Sequence, residues 1–334
     1  MKIFGFSSNN TPAQLVDQPT PQASGRDLLI KIDAIAVNPV DTKIRAGIKG
    51  NLPSAKIVGW DATGTVTAIG DHVTLFKVGD KVFYAGDLTR PGCYASHQLV
   101  DERIVGHAPK TLTSVEAAVM PLTSITAWES LFSRLRINRE NDEGKNILII
   151  GGAGGVGSIA IQLAKKVAGL NVITTASRAE SEQWCYERGA DHVINHHGEM
   201  ILQYRTLGLN DPDYILCLLN TDHHFAAMAE LIAPQGMICS IDGTQEKHDL
   251  DCLKSKSVGF VWEFMFTRSM FKTSDIIEQH NLLNTIAQLL DDGKIISTLT
   301  KTIGPINSDN IEWAHKQLLS GSTIGKLALT PIEA

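Results

Sequence analysis

Residues 146–166 read NILIIGGAGGVGSIAIQLAKK. An unbroken apolar run ends in a glycine cluster, and residues with helical spacing follow. Gly152-Ala153-Gly154-Gly155-Val156-Gly157 fits the pattern G-x-G-x-x-G. In a strand–turn–helix setting each glycine has a task. The first permits the tight turn, the second lets backbone approach a pyrophosphate, and the third lets helix and strand pack closely. The helix start then offers free N–H groups and the positive end of its dipole to the phosphates. No Gly-Lys-Ser/Thr follows, so this is not a Walker loop. The stretch predicts a dinucleotide bound by Gly152, Gly154, Gly155, Val156 and Gly157.

The sequence on either side supports that setting. Past residue 146, apolar strand candidates NVITTA, HVIN, DYILCLL and GMICSID alternate with helical segments near 157–168, 180–189 and 223–233. A polar connector separates HVIN from DYILCLL. VGFVWEFMF (258–266) reads as a further strand, and 273–291 as a long amphipathic helix. Alternation of this kind makes a parallel sheet covered on both faces. The first ~120 residues differ. DLLIKIDAIAV (27–37), the Gly-Asp-punctuated run 64–86 and CYASHQLVD (93–101) read as short strands of a barrel or sandwich. Near 113 the pattern turns helical, with Ser114 as a candidate N-cap. A chain of 334 residues exceeds one ordinary core, so two domains are expected.

The nucleotide is chosen at the tip of the second strand. NAD binders place a carboxylate there for the ribose hydroxyls. Here the tip reads Ala176-Ser177-Arg178. A hydroxyl and a guanidinium suit a 2′-phosphate, which a carboxylate would repel. NADPH is therefore the expected cofactor, held by Ser177 and Arg178. The same residues also suit a helix start, Ser177 as cap and Arg178 in the first turn.

Charge and cysteine usage exclude other classes. The formal net charge is −6 and no Lys/Arg block occurs, which argues against nucleic acid. No stretch long enough to span a bilayer lacks polar or glycine interruptions. The start, MKIFGFSSNN, has no apolar secretory core. Five scattered cysteines form neither a C-x-x-C pair nor a disulfide framework, which fits a reducing cytoplasm. The partner expected is a small molecule, with neither membrane nor nucleic acid.

The motifs AVNPVDTKIRAG, VGWDATGTVTAIG, FKVGDKVFYAG, GADHVIN and GKLALT, in this order around GGAGGVGS, resemble the medium-chain dehydrogenase/reductase superfamily. They are most similar to its quinone-oxidoreductase-like branch. GWDATG, PLTSITAWE and WEFMFTRSMF look closer to bacterial zinc-type alcohol dehydrogenase-like proteins. The resemblance implies an α/β chain: a GroES-like β-barrel catalytic domain at 1–121, completed by 293–334, and a Rossmann doubly wound parallel sheet at 122–292. It also implies a homodimer, formed through the sheet edge near VGFVWEF.

In zinc members of the superfamily a Cys stands at the position of Asp41, and a His-Glu pair at Trp60-Asp61. A second Cys falls in the region PLTSITAWE. Two carboxylates without imidazole or thiolate suit zinc poorly, and no metal is expected. The pairs His196-His197 and His223-His224 read as surface residues, because neighbours on a strand or helix diverge. His196 also falls where quinone reductases carry a Tyr near the adenosine phosphate, and Lys326 matches a position near the cofactor. Without a Lewis acid, hydride transfer calls for an electrophilic acceptor, a quinone or an α,β-unsaturated carbonyl. By resemblance, Asn38, Asp41 and Thr126 are the catalytic candidates. Trp60, Tyr84, Trp262 and Phe264 are candidates for the substrate pocket. No dedicated general base stands out, and water is the default proton source. Two rival expectations are a zinc alcohol dehydrogenase with atypical ligands and a non-catalytic NADPH-binding sensor.

Overall fold

The computed structural model describes residues 1–333. The chain divides into two compact units, one formed by 1–125 with 266–334 and the other by 126–265.

The first unit begins with a hairpin, β1 (Lys2–Gly5) and β2 (Gln14–Asp17), that the sequence reading did not anticipate. The ten-residue β3 (Asp27–Ala36) follows, then α1 (Pro39–Ala46), β4 (Ala62–Ile69), β5 (Lys81–Tyr84), β6 (His97–Asp101) and β7 (Val105–His107). Strand β3 is the hub, since β4 and β6 both pair with it antiparallel. Its register with β4 shifts between Leu29 and Ile30 and again between Ile32 and Ala34. Such irregularities bend a strand and help a sheet to curl. Next come α2 (Ser114–Ala118) and α3 (Pro121–Trp128). Ser114 is not the cap. Thr113 is, and it forms a capping box with Glu116, whose carboxylate accepts the Thr113 N–H at 2.9 Å. The helical pattern is interrupted before Pro121, as expected where proline disfavours helical backbone in the residue before it.

The second unit holds β8 (Asn146–Ile150), α4 (Gly155–Lys166), β9 (Asn171–Thr175), α5 (Ala179–Arg188) and β10 (His192–Ile194). It continues with α6 (Met200–Thr206), β11 (Tyr214–Cys217), α7 (Thr221–Leu231), β12 (Met237–Ser240) and β13 (Gly259–Trp262). All strands are parallel, in the order β10-β9-β8-β11-β12-β13. This is the doubly wound 3-2-1-4-5-6 order, whose direction reverses between β8 and β11. The polar connector contains α6, which buries Met200 and Tyr204 in the same core as Ile215, Phe225 and Met228. Two buried residues among seven carry too little period for the pattern to show. The strand expected over 258–266 ends at Trp262.

The chain then returns to the first unit with α8 (Thr267–Phe271), α9 (Glu278–Asp291), β14 (Leu299–Pro305), α10 (Ser308–Leu319) and β15 (Lys326–Thr330). The long helix starts at Glu278, later than the expected 273. Residues 266–292 belong with this unit, not with the Rossmann span 122–292 expected from the sequence. The reason is the packing of α9 on β7. The His280 ring bonds the Val105 carbonyl oxygen at 2.7 Å, and Asn284 accepts the His107 N–H at 2.9 Å. Strand β15 runs antiparallel to β3 and parallel to β14, joining β14 to the seven-stranded sheet.

Candidate active site

The glycine turn lies between β8 and α4. The residue in left-handed backbone is Gly151, with φ +97°, one position before the glycine assigned to the turn. Thr175, at the end of β9, pins it: its hydroxyl accepts the Gly151 N–H at 2.9 Å and its carbonyl accepts the Gly152 N–H at 3.0 Å. A Cβ on Gly152 would stand 2.1 Å from Thr174 Oγ1. A Cβ on Gly157 would stand 2.3 Å from the Gly151 carbonyl oxygen. Gly154 is the N-cap of α4, and its nearest neighbour to a Cβ is 3.8 Å away, so its own fold leaves space there for a ligand to approach the backbone. The residues present therefore fit a dinucleotide: two glycines serve packing, and one leaves backbone open to a phosphate.

At the tip of β9, Ala176 is buried, Ser177 half-buried and Arg178 exposed. Arg178 itself is the N-cap of α5, and Ser181 takes its N–H at 3.1 Å, so the cap falls one residue later than the sequence suggested. The two histidine pairs were expected as separate surface groups. Instead they gather: the His196 ring lies 4.4 Å from His197 and 6.5 Å from His224, which is 4.7 Å from His223. His224 is buried, and burial pushes its pKa down to about 4. The Nδ1 of His196 has no hydrogen-bond partner. Among the described residues, no set of three or more His, Cys, Asp or Glu is placed to hold a metal ion. Thr126 is buried in α3, whereas Trp262 and Phe264 are about half exposed, at 48 % and 47 %.

In the first unit a second polar centre forms inside apolar surroundings. Pro39 opens α1 and Asp41 occupies its third position, where its Oδ2 accepts the Asn38 N–H at 2.9 Å. The Asn38 side chain turns away from the helix. Its Nδ2 donates to Asp61 Oδ2 at 3.1 Å, and its Oδ1 accepts from Lys326 Nζ. The Lys326 ammonium also donates to the Val37 carbonyl at 2.8 Å and pairs with Asp61 Oδ2 at 3.2 Å. All three of its donors are thus taken within this unit. Lys326, expected near the cofactor, is engaged with two of these buried polar side chains. Asp61 Oδ1 accepts the Leu122 N–H at 3.1 Å.

Asn38, Asp41, Asp61 and Lys326 are all buried. Burial pushes Asp41 up to about 7 and Asp61 up to about 6, against the opposing pull of the Lys326 charge. Burial also pushes Lys326 down, while Asp61 and Asp41 pull it back up. Two residues that the sequence reading did not single out complete the centre. Tyr94 Oη donates to Asp41 Oδ2 at 3.1 Å and bonds His315 Nε2 at 3.0 Å. Trp60 and Tyr84 lie in the core of this unit. The Trp60 indole donates to the Asp87 carbonyl at 3.0 Å, and the Tyr84 hydroxyl has no partner.

The positions that hold zinc in zinc members do not fit a zinc ion here. Trp60 offers no ligand atom. Asp61 already faces a buried ammonium, and Asp41 is bound by a backbone N–H and a phenol. Zinc prefers thiolate, imidazole and a few carboxylates around an open position.

Comparison with known proteins agrees with the fold. Residues 24–113 match the alcohol dehydrogenase GroES-like domain, and residues 155–284 match the zinc-binding dehydrogenase family. A zinc-type alcohol dehydrogenase-like protein of Staphylococcus aureus is 44 % identical, over 98 % of this chain and 99 % of its own length. The 2-methylene-furan-3-one reductase of Solanum lycopersicum is 37 % identical, over 93 % of this chain and 74 % of its own length. A Rhizobium etli crystal structure, provisionally described as a zinc-dependent alcohol dehydrogenase, superposes with a TM-score of 0.95 at 44 % identity, covering 100 % of this chain and 99 % of that one. A mycobacterial structure complexed with NADPH superposes at 0.83 and 27 % identity, over 99 % and 100 % of the two chains. The chain belongs to the medium-chain dehydrogenase/reductase superfamily of oxidoreductases, with a GroES-like and a Rossmann-type domain.

Proposed function

We propose that this oxidoreductase passes hydride from NADPH to an α,β-unsaturated carbonyl or a quinone without a metal ion. The observation that carries this reading is the buried Lys326–Asp61–Asn38 centre: Asp61, which by resemblance falls at a zinc-ligand position of zinc members, is here paired with an ammonium. A simple alcohol or aldehyde needs a Lewis acid to bear charge on oxygen. A conjugated acceptor spreads that charge itself, so orientation and hydrogen-bond donors suffice. The furanone reductase relative acts on an acceptor of this type by its name, and the mycobacterial neighbour holds NADPH.

In this reading the first-turn amides after Gly154 hold the pyrophosphate, while Ser177 and Arg178 meet the 2′-phosphate. His196, with its open Nδ1, lies within the same domain and serves the adenosine end. The bound nucleotide supplies the hydride. Asn38 and Thr126 orient the reacting partners. The Lys326 charge favours the negative charge that develops on the acceptor, and Asp41 is the ionisable group beside it. The protein works in the cytoplasm on a small molecule.

Stopped-flow oxidation of NADPH and of NADH against a panel of enones and quinones tests this. Turnover with NADPH, with NADH at least tenfold poorer in kcat/KM, is expected. Arg178→Asp should erase most of that preference by weakening NADPH alone. A clear NADH preference would refute the Ser177/Arg178 assignment. Tight NADPH binding with no turnover on any acceptor would favour the sensor, and stoichiometric zinc in the active protein would favour the alcohol dehydrogenase.

A further inference from the structure

Asp41 is held by a one-directional chain of donors. Arg45, on α1, presents NH1 to His315 Nδ1 at 3.4 Å. Guanidinium has no acceptor, so Nδ1 must accept, and in a neutral ring the hydrogen then sits on Nε2. Burial together with the Arg45 charge keeps the ring neutral, with its pKa down at about 4. Nε2–H therefore donates to Tyr94 Oη, and the Tyr94 hydrogen is left for Asp41 Oδ2. The chain is anchored at its outer end, where Arg45 pairs with Glu312 at 2.8 Å and its guanidinium lies 4.4 Å over the Phe6 ring. Phe6 also stacks on His315 at 5.8 Å. His315 and Tyr94 are buried, at 2 % and 0 % exposure, so the path is dry. At its inner end, Asp41 Oδ1 is buried and has no hydrogen-bond partner. Such an orphan is costly, and one at the end of a chain of donors calls for a reason.

We propose that Asp41 Oδ1 gives the proton that completes reduction of the acceptor, and that Tyr94 and His315 are positioning residues that hold Asp41 for this step. The proposal rests on the reductase reading above and replaces water as the immediate donor. Hydride addition leaves an enolate or a hydroquinone monoanion. The Asp41 O–H bond breaks as the new O–H or C–H bond forms on the acceptor, and one proton from water restores the carboxyl group. The sum is acceptor + NADPH + H⁺ giving reduced acceptor + NADP⁺.

The groups facing Asp41 set where it titrates. Burial and the Asp61 charge raise it, while the Asn38 N–H, the Lys326 charge and the Tyr94 hydroxyl lower it. The balance near 7 suits an acid working near neutrality. Cys93 also faces it, but burial holds that thiol well above its usual value and so uncharged.

The test uses four variants and two readouts. One is the pH profile of kcat; the other is isotope-edited infrared titration of the Asp41 carboxyl in the cofactor-free protein. Asp41→Asn should lower kcat about 10²-fold. Tyr94→Phe removes a donor to the carboxylate, so Asp41 should titrate higher and the alkaline fall in kcat should move up by about one pH unit. His315→Leu should shift it in the same direction. His315→Gln keeps an amide donor to Tyr94 and should remain within about 0.3 unit of the parent. An alkaline limb and an infrared titration that stay in place in both Tyr94→Phe and His315→Leu would overturn the positioning role, and full activity in Asp41→Asn would overturn the proton-donor role. A parent enzyme without turnover would overturn the reductase reading and the proton transfer with it, while the infrared shift would still decide the positioning role.

Discussion

A single glycine separates folding from binding in this chain. Gly157 and Gly154 belong to one motif, yet only the first is fixed by its own fold, with 2.3 Å of room for a Cβ against 3.8 Å. Gly157→Ala is expected to cost about 1–3 kcal/mol in denaturant unfolding, because backbone must yield. Gly154→Ala should leave that midpoint unchanged and weaken nucleotide binding at least tenfold by calorimetry. Equal stability losses in both would show that the second glycine serves packing too. The same contrast explains what was legible at this scale. Asn38, Asp41 and the glycines sit in short local motifs, so the sequence pointed to them. Tyr94 and His315 meet across 221 positions, and each alone reads as an ordinary core or helix residue. Lys326 was visible, but its partners were not, since nothing local links it to Asp61.

Between elements, α3 runs on into a π-helical turn at Glu129–Arg134, a form often found at functional sites. It brings Glu129 against Glu263, which follows β13, with Arg134 Nε on Glu263 at 2.7 Å. Both carboxyls are buried, and the Arg134 guanidinium pairs with Glu263. Burial, then the Glu129 charge, pushes Glu263 up to about 8. A carboxyl raised on folding stabilises fully below its unfolded pKa, near 4.5, and loses that contribution as pH rises through about 8. Asp41 and Asp61, also raised, act in the same direction between about 4 and 7. Below about pH 6.5 the depressed His224 and His315 act the other way, so the melting temperature should fall between about pH 6.5 and pH 8.5. Glu263→Gln keeps an acceptor for Arg134 and a donor for Glu129, and should flatten that fall. An equally steep fall in the variant would exclude this pair as its source. None of this could be read from periodicity, because burial of a charged pair depends on a contact between residues more than a hundred positions apart.

At the scale of the molecule, the strand–helix alternation and the β-rich start were enough for the architecture, while the unit boundary was not. The boundary depends on where α9 docks, and an amphipathic helix does not state which sheet it will cover. The same holds for assembly. Strand β13 ends the parallel sheet, and its last residue, Trp262, is 48 % exposed. An open strand edge with apolar side chains invites a partner, and light scattering is expected to report a dimer that Trp262→Glu shifts towards monomer. A parent already monomeric at micromolar concentration would remove that expectation. The returning tail has one more effect. The ammonium of β15 and the Asn38 carbonyl oxygen it meets are 288 positions apart. Until that last strand docks, two acids would be sealed in the interior with no counter-charge, so the partly made protein has reason to stay open. The chemistry of the centre is thereby tied to the docking of β15.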